Sequence, residues 1–385
     1  MTAAWWREGV GAAPRGVSGP FATRRVDVVV VGAGIAGLSA ALFLERRGAT
    51  VALVDAEGVG GGASGRNAGF LMRGAADCYA VACRQWGRDR ARWLWRLTED
   101  NLTMLRGEGI EALPSVRAVP SALLALDEDE LGPLRESEAL MAEDGFASAW
   151  ESSGDDAVWR AGLAFGALVN PADMACNPLE LLYFLHGKLR SETFAPQRVL
   201  SFSESAGAVT VQTEGGTLAA DHMLVCANAY LPRLAPEASA WASPRRGQML
   251  ALRGEGLRLD RSYYANRGSE YFRQGVDGVV VLGGFRTRFA DTEVGYEDAV
   301  TEGVQGALEA LGRRLFGDGP EVVARWSGVM GFGPGGLPRV GPLPGHARVW
   351  GVAGFTGHGM SMAHRVAGIA VAAMLDGADN PFAGP

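Results

Sequence analysis

Residues 26–57, "VDVVVVGAGIAGLSAALFLERRGATVALVDAE", decide the fold of this chain. The stretch opens with a β-branched run, which is typical of a strand covered on both faces in a parallel sheet. A glycine-rich turn follows, and then apolar residues recur at helical spacing until Gly48. A second apolar run comes directly after that glycine. We therefore predict one βαβ unit.

The turn between the first strand and the helix carries a GxGxxG pattern, formed by Gly32, Gly34 and Gly37. The first glycine permits a tight turn, the second lets the backbone approach a pyrophosphate, and the third lets helix and strand pack closely. The helix N-terminus would face the phosphates, and Asp55 would accept hydrogen bonds from an adenosine ribose. NAD and FAD are both bound in this way, and a glycine turn without a ligand is the remaining alternative.

A second glycine-rich stretch, "GVGGGASGRNAGFLMRG" at residues 58–74, begins soon after the second strand. Its small residues and backbone amides would let the chain follow a further length of cofactor. Ser64, Arg66 and Asn67 could bond phosphate or ribitol oxygens. A domain that binds only NAD does not need this stretch, so it favours FAD. A flexible surface loop is the alternative interpretation.

Composition narrows the class of protein. The 385 residues are 48% apolar, which predicts a folded, water-soluble chain of two domains or one large α/β unit. A net charge of −7 without long runs of one sign argues against a nucleic-acid partner. The four cysteines lack metal-site or disulfide-framework spacing, so a cytoplasmic location fits best. We expect no membrane span and interpret residues 1–23 as an N-terminal tail.

The sequence resembles the D-amino-acid oxidase, glycine oxidase and sarcosine oxidase group of FAD-dependent amine oxidoreductases. The resemblance covers most of the chain. Beyond the two stretches above it rests, in the family's order, on "VNPADMACNPLELL", "VCANAYLPRL", "PRRGQML", "DGVVVLGGFR", "WSGVMGFGPGGLPRVGPLPG" and "GVAGFTGHGMSMAHRVAGIAVAAML". It implies an α/β fold, α+β overall, with a Rossmann-like FAD-binding domain and a second, antiparallel-sheet substrate domain that forms a roof over the flavin.

The resemblance divides the chain into alternating segments. The FAD-binding domain would consist of residues 24–73, 164–234 and 337–385. The substrate domain would consist of residues 74–163 and 235–336.

The resemblance also assigns residues to the cofactor. Backbone amides of Gly357, Gly359 and Met360 would face the N1–C2=O edge of the flavin, where negative charge accumulates on reduction. The "GASGRNAG" loop has no histidine and no cysteine follows Trp326, positions where some relatives attach flavin covalently, so we expect non-covalent FAD. The predicted cofactor-binding residues are Gly32, Gly34, Ile35, Ala36, Gly37, Asp55, Ala56, Gly62, Ala63, Ser64, Arg66, Asn67, Ala68, Gly69, Val199, Ala227, Asn228, Gly354, Thr356, Gly357, His358, Gly359 and Met360.

One position departs from the family pattern. Amino-acid-oxidising members commonly place an arginine four residues after the tryptophan of "WxGxR" to hold the substrate carboxylate, and here that position is Met330. The "ASGRNAG" loop, "ANAYL" and the N-terminal "WW" also resemble γ-glutamylputrescine oxidoreductase-like members, whose substrates are amines. His358 is either a catalytic base or a structural histidine. The predicted substrate-site residues are Arg73, Tyr264, Tyr271, Arg273, Met330 and His358.

The resemblance implies an oxidase or dehydrogenase that oxidises the C–N bond of an amino acid or amine. Hydride would pass to flavin N5, giving an imine, and the reduced flavin would pass electrons to O2 or to an electron carrier. Sarcosine-oxidase-like members use a lysine above the flavin for the reaction with oxygen, but the only lysine here, Lys188, falls in a solvent-facing helical stretch. Two alternatives stay open: a catalytically silent FAD-binding subunit of an electron-transfer or modification complex, and an NAD-linked dehydrogenase.

Overall fold

The computed structural model describes residues 2–205 and 207–384. The strands are β1 (Arg24–Val31), β2 (Val51–Val54), β3 (Phe70–Leu71), β4 (Arg117–Ala118), β5 (Ser121–Ala125), β6 (Ala149–Glu151), β7 (Gly166–Asn170), β8 (Met174–Ala175), β9 (Glu192–Phe194), β10 (Val199–Ser205), β11 (Ala208–Thr213), β12 (Thr217–Val225), β13 (Ser243–Arg253), β14 (Ser262–Ala265), β15 (Glu270–Gln274), β16 (Val280–Gly283), β17 (Glu321–Phe332), β18 (Arg339–Pro342) and β19 (Val349–Ala353). The helices are α1 (Ile35–Arg46), α2 (Tyr79–Trp86), α3 (Arg88–Gly107), α4 (Glu128–Glu143), α5 (Ala157–Arg160), α6 (Pro178–Gly187), α7 (Leu231–Leu234), α8 (Glu302–Phe316) and α9 (Gly359–Asp376). Strands and helices are interspersed along the described residues, with two runs of four strands, β9–β12 and β13–β16, that no α-helix interrupts.

The chain forms two units by its internal contacts. Unit I consists of Gly9–Arg66, Leu179–Arg245 and Val329–Pro385. Unit II consists of Met1–Glu8, Asn67–Pro178 and Arg246–Gly328.

The boundaries of these units differ from the segments that the resemblance suggests. Residues 67–73 and 164–178, assigned above to the FAD-binding domain, belong to unit II. Residues 235–245 and 329–336, assigned above to the substrate domain, belong to unit I. The N-terminal 23 residues are divided, because the segment up to Glu8 belongs to unit II and the rest to unit I.

Unit I is built on an eight-stranded sheet in the order β10-β11-β12-β1-β2-β9, with β19 pairing with β12 and with β18. The pairs β12–β1, β1–β2, β2–β9 and β12–β19 are parallel. Helix α1 connects β1 to β2 and is buried from Ile35 to Glu45, since α9 also packs against it. His364 of α9 contacts the Phe43 ring and hydrogen-bonds Ser39. The predicted βαβ unit is confirmed.

Unit II contains an eight-stranded sheet in the order β17-β13-β16-β15-β14-β5-β7-β6 and a three-stranded sheet, β3-β8-β4. The strand pairs are mainly antiparallel, with β5 and β14 parallel. One face of the large sheet, with Tyr263 and Phe272, packs with Leu308 of α8 in an apolar core. The predicted fold class, a Rossmann-like domain combined with a largely antiparallel second domain, is confirmed. Within residues 2–205 and 207–384, no helix has the length and apolar content that crossing a membrane requires.

Candidate functional site

The turn at residues 32–37 lies at the carboxyl end of β1, where ligands bind in open α/β sheets. A side chain at Gly37 would place its Cβ 1.8 Å from the carbonyl oxygen of Gly32. Only glycine lets α1 start this close to the strand. Gly34, the N-cap of α1, has no side chain to cap the helix, and its first turn carries no acidic residue. The positive end of α1 therefore presents backbone N–H groups suited to an anion.

Asp55 directly follows β2 and ties it to this turn. Its Oδ2 accepts a hydrogen bond from the Ala33 N–H at 2.7 Å, and its Oδ1 accepts from the N–H groups of Glu57 and Gly58 at 2.8 Å. Burial raises the pKa of the carboxyl, while the three N–H groups act in the opposite direction. The ribose contact expected of Asp55 and the cofactor contact expected of Ala56 stay predictions.

The loop after β2 returns to the start of α1. Ser64, in the short helix Ala63–Gly65, accepts a hydrogen bond at Oγ from the Ile35 N–H at 3.1 Å. Arg66 is buried, and its Nε donates to the carbonyl of Gly61 at 2.9 Å. The second glycine-rich stretch is therefore an ordered structure beside the helix N-terminus.

Residues 67–69 continue this loop in unit II. The Gly69 N–H donates to Asn67 Oδ1 at 2.7 Å, and the Gly69 carbonyl accepts from the Cys176 N–H at 2.9 Å. The carbonyl of Ala68 accepts from Nε of Arg273 at 2.5 Å. Each of the three residues is thus fixed by at least one hydrogen bond.

Two predicted cofactor segments meet after β12. Asn228 has a φ of +45°, and its Oδ1 accepts from the Gly354 N–H at 2.9 Å. Gly331 lies against the same carboxamide, since a Cβ at this glycine would stand 2.5 Å from Asn228 Oδ1. Ala227 immediately precedes this junction. Val199, at the start of β10, packs against the apolar core of unit I, and its adenine contact stays a prediction.

The turn before α9 is a second helix N-terminus without a side-chain cap or an acid in its first turn. His358 is the N-cap, and its Nδ1 is 3.2 Å from the Thr356 carbonyl, to which it can donate. Burial lowers the pKa of His358, so the imidazole is neutral at pH 7. The Thr356 N–H donates to the carbonyl of Gly331 at 2.9 Å, which holds the turn against the end of β17.

Met330 of β17 lies beside this turn. The Met330 Sδ is 3.8 Å from the place where a Cβ at Gly357 would be, so the thioether borders the backbone of the turn. A thioether carries no charge and no N–H donor. The residue that departs from the family pattern therefore lies next to the predicted flavin-binding turn.

The residues of unit I fit FAD. The glycine turn is a cradle that a Cβ would fill, and neither helix carries an acidic residue in its first turn, which suits a pyrophosphate and an electron-rich flavin edge. The individual contacts stay predictions. The predicted cofactor residues in unit I are Gly32, Gly34, Ile35, Ala36, Gly37, Asp55, Ala56, Gly62, Ala63, Ser64, Arg66, Val199, Ala227, Asn228, Gly354, Thr356, Gly357, His358, Gly359 and Met360.

Two predicted substrate residues, Arg73 and Arg273, are buried and bonded within unit II. Arg73 forms an ion pair with Glu99 at 2.9 Å, and its other terminal nitrogen donates to Asn170 Oδ1 and to the Ala147 carbonyl at 2.6 Å. Arg273 donates to the backbone carbonyls of Ala68 and Cys176. Both guanidinium groups therefore already bind acceptors of the protein itself.

Tyr264 and Tyr271 lie together with Phe70 in unit II, and we call these three rings the aromatic face. Ring centroids are 5.1 Å apart for Phe70–Tyr264, 6.3 Å for Phe70–Tyr271 and 6.0 Å for the two tyrosines, each pair edge to face. Burial raises the pKa of both phenols, to about 12 for Tyr271, so both are protonated at pH 7. Their strand neighbours Tyr263 and Phe272 belong to the core on the opposite side of the sheet.

Sequence reasoning missed Phe70 and Trp6. Phe70 is the only aromatic residue of the glycine-rich stretch at residues 58–74, which is the signal that could have identified it. Trp6 lies in the stretch interpreted as a tail, yet only 4% of the surface of this residue is exposed. Adjacent tryptophans are costly to leave in water, so "WW" was a signal for a docked segment.

Comparison with known proteins identifies the family. A family model described as DAO, FAD dependent oxidoreductase, matches residues 27–373. The chain belongs to this family. The protein is therefore an FAD-dependent oxidoreductase, as the sequence predicts.

Individual members of the family share about a quarter of their residues with the chain. It is 26% identical to the probable oxidoreductase OrdL of Rhizobium meliloti over 366 residues, covering 89% of this chain and 81% of the relative. It is 25% identical to γ-glutamylputrescine oxidoreductase of Escherichia coli over 370 residues, covering 91% of this chain and 84% of that relative. In fold, it resembles the crystal structure of glycine oxidase from Geobacillus kaustophilus, with a TM-score of 0.76, 20% identity, and coverage of 93% of this chain and 96% of that one.

Proposed function

We propose that the protein oxidises the C–N bond of an amine whose reacting carbon carries no carboxylate. FAD, when bound, supplies the acceptor for a hydride from the carbon beside the amine nitrogen, and the substrate leaves as an imine. The observation that carries the proposal is Met330 beside the turn at Gly357. One relative is named for an amine, γ-glutamylputrescine, and another for an amino acid, glycine. Met330 favours an amine as the substrate of this protein.

An arginine at this position would hold a carboxylate by two parallel, charge-assisted hydrogen bonds. Each such bond contributes about 1.5–3 kcal/mol. Met330 supplies neither, and a carboxylate beside its thioether would lose hydration without gaining a partner. Methionine instead adapts to apolar groups of varied shape. We therefore expect an alkyl carbon, or a polar group further along the substrate, at this position.

The two buried arginines do not replace the missing clamp in this proposal. Recruiting Arg73 to a substrate would break its ion pair with Glu99 and its bond to Asn170, leaving buried polar groups without partners. Arg273 is committed to carbonyls in the same way. We assign Arg73 a structural role, and Arg273 a role in holding the loop at residues 67–69.

The aromatic face suits a neutral amine. Hydride loss requires the nitrogen lone pair, so the ammonium form must give up a proton before it reacts. Burial beside Phe70, Tyr264 and Tyr271 would lower the pKa of an ammonium group by desolvation. The two phenols stay protonated and can donate hydrogen bonds to a polar atom of the substrate. The three side chains would therefore orient and desolvate the amine.

His358 holds the flavin-binding turn in this proposal and does not act as a base. Its Nδ1–H is directed at the Thr356 carbonyl, and its neutral state keeps positive charge away from the start of α9. The N–H groups of Gly359 and Met360 then remain aligned with the helix axis, where they stabilise negative charge. The pyrophosphate would be held by residues 32–37, and the adenosine ribose by Asp55.

The experiment is anaerobic titration of the purified protein with a panel of amines and amino acids. The proposal predicts a yellow protein that releases FAD on denaturation, and bleaching of its absorption near 450 nm by at least one amine without an α-carboxylate. Protein that neither contains nor binds FAD would exclude the proposal. Stable FAD that no amine bleaches, together with a co-purifying partner, would favour the alternative of a silent subunit.

A further inference from the structure

The two adjacent tryptophans at the N-terminus, Trp5 and Trp6, make parallel sets of contacts at different places in unit II. The indole N–H of Trp5 donates to the carboxylate of Asp277 at 2.9 Å, and the guanidinium of Arg253 lies 5.0 Å from its ring centroid. The indole N–H of Trp6 donates to the carbonyl of Asn67 at 2.6 Å. Trp5 therefore engages the turn between β15 and β16, whereas Trp6 engages the predicted cofactor loop.

Arg273 completes the contact around Trp6. Its guanidinium carbon lies 4.9 Å from the centroid of the Trp6 ring, a distance at which a cation is attracted to the ring face. Its Nε donates to the Ala68 carbonyl and its terminal nitrogen to the Cys176 carbonyl, both at 2.5 Å. Burial among neutral groups lowers the pKa of Arg273 to about 10, so it remains charged at pH 7.

These two donors fix the orientation of consecutive peptide groups in the loop. Because a trans peptide is planar, a carbonyl held in one direction turns the N–H of the next residue in the other. Trp6 holds the Asn67 carbonyl, so the Ala68 N–H is directed away from Trp6. Arg273 holds the Ala68 carbonyl, so the Gly69 N–H is directed back to Asn67 Oδ1.

Gly69 leaves the loop little freedom to adopt another conformation. Its φ is +74°, and a Cβ at this position would lie 2.0 Å from the Cys176 carbonyl and 2.6 Å from a terminal nitrogen of Arg273. The Gly69 backbone thus lies against both the Arg273 guanidinium and the Cys176 carbonyl to which that guanidinium donates.

The rest of the N-terminal segment is anchored in the same unit. Thr2 hydrogen-bonds Asp298 at 2.6 Å and accepts from the Ser327 N–H at 3.0 Å. The Asn177 side chain donates to the Trp6 carbonyl at 2.9 Å, and the Trp6 ring packs edge-on against Trp326 at 6.2 Å. Three of the residues that the segment contacts, Asn67, Asn177 and Trp326, lie within two residues of a boundary of unit II along the chain.

We propose that Trp6 and Arg273 are positioning residues for the flavin. They orient the peptide groups of residues 67–69 so that the Ala68 N–H meets the bound cofactor, and Trp6 is itself held by Asn177 and Trp326. This inference rests on the proposed function, because it requires FAD to contact the loop.

The test uses the full-length protein with two matched substitutions, Trp6→Phe and Trp5→Phe. Each keeps an aromatic ring and removes one indole N–H donor. A single hydrogen bond of this kind corresponds to a change in affinity of about tenfold. We expect Trp6→Phe to weaken FAD binding about tenfold and to shift the visible absorption bands of bound FAD. Trp5→Phe should stay within about twofold of the wild type and keep its spectrum.

The spectrum separates positioning from general stability. A purely structural role would lower the melting temperature of the FAD-free protein and leave the spectrum of bound FAD unchanged, which would overturn the proposal. Equal affinities and spectra for both variants and the wild type would also overturn it, while leaving the proposed function intact. Wild-type protein that binds no FAD would overturn the proposed function and this inference with it.

If Trp6→Phe fails to fold, the same experiment uses Arg273→Lys, with Arg253→Lys as the control. Lysine keeps the charge but cannot donate in a fork to two carbonyls. We expect Arg273→Lys to weaken FAD binding about tenfold and to shift the spectrum, and Arg253→Lys to do neither. The same effect of both substitutions would contradict the assignment of Arg273.

Discussion

The turn at residues 32–37 and the aromatic face are built from different parts of the polypeptide. In the turn, backbone groups make the critical contacts, and Gly37 approaches the Gly32 carbonyl more closely than any side chain allows. The aromatic face consists of side chains from three strands, β3, β14 and β15, whose rings meet edge to face. We expect the turn, as the proposed cofactor cradle, to tolerate almost no substitution, and the aromatic face, as the proposed substrate surface, to change specificity by single replacements.

Gly37→Ala should have the largest effect, because it places a methyl group against a backbone carbonyl that cannot move independently of β1. Overpacking of about 3 kcal/mol would weaken FAD binding about 100-fold. Isothermal titration of FAD-free protein with FAD measures this loss. Gly306→Ala is the matched control, since Gly306 is also helical and a Cβ there meets nothing within 4 Å. Equal FAD affinities for the two variants would show that the turn is not a tight cradle.

Asp173, next to the aromatic face in unit II, should make stability depend on pH. It is 2% exposed, and burial raises its pKa to about 6, despite hydrogen bonds from Ser121 and the Arg73 N–H. The folded state then binds a proton that the unfolded state releases near pH 4, so this group destabilises the fold as pH rises towards 6. Relative to Asp173→Asn, the wild type should lose about 2 kcal/mol of unfolding free energy between pH 4 and pH 7.

Urea denaturation of both proteins at several pH values measures this difference, and the titration of all other groups cancels in the comparison. A difference in unfolding free energy that stays constant from pH 4 to pH 7 would contradict the raised pKa of Asp173. No such dependence is expected from the turn at residues 32–37, which contains no titratable side chain.

Met330→Arg should move substrate preference towards small carboxylated amines. The new guanidinium could hold a carboxylate beside the turn at Gly357, which Met330 cannot do. We expect the ratio of kcat/KM for glycine to kcat/KM for a simple alkylamine to rise about tenfold. Met330→Leu controls for loss of the thioether and should leave this ratio unchanged. Equal ratios for both variants would place Met330 away from the substrate.

The smallest expected effect comes from comparing tyrosines on the two faces of the eight-stranded sheet of unit II. Tyr271→Phe removes a phenol of the aromatic face and should lower kcat/KM about fivefold with little change in unfolding free energy. Tyr263→Phe removes a buried hydroxyl that donates to Asp156 at 2.5 Å, so it should cost about 1–2 kcal/mol of stability and leave kcat/KM unchanged. The reverse pattern would mean that the aromatic face is a structural core.

The sequence predicted unit I better than unit II for a physical reason. The GxGxxG turn, α1, β2 and Asp55 are specified by residues close together in the chain, through backbone geometry that only glycine permits. The sequence also indicated the helix that follows Gly357, because a glycine turn before a long apolar run is a local signal. These features and the family resemblance together predicted the fold class and the FAD cofactor.

The contacts of Trp6 and Arg273 could not be predicted in this way. Arg273 reaches Ala68, 205 residues earlier in the chain, and Trp6 reaches Asn67, 61 residues later. No periodicity or spacing specifies such pairs, since they depend on how whole segments pack. For the same reason the sequence could not show that Arg73 binds Glu99 and Asn170 or that Arg273 binds backbone carbonyls, and a substrate contact of either arginine stays a prediction.

The most direct test of the account is the anaerobic rate at which the bound FAD is reduced by pairs of amines that differ only in an α-carboxylate, such as propylamine and 2-aminobutanoate. Stopped-flow absorbance near 450 nm follows the reaction without involving the electron acceptor. We predict that, in each pair that reacts, the amine without the carboxylate reduces the FAD faster. Consistently faster reduction by the α-amino acid would contradict it, because the protein would then hold the carboxylate without an arginine at position 330.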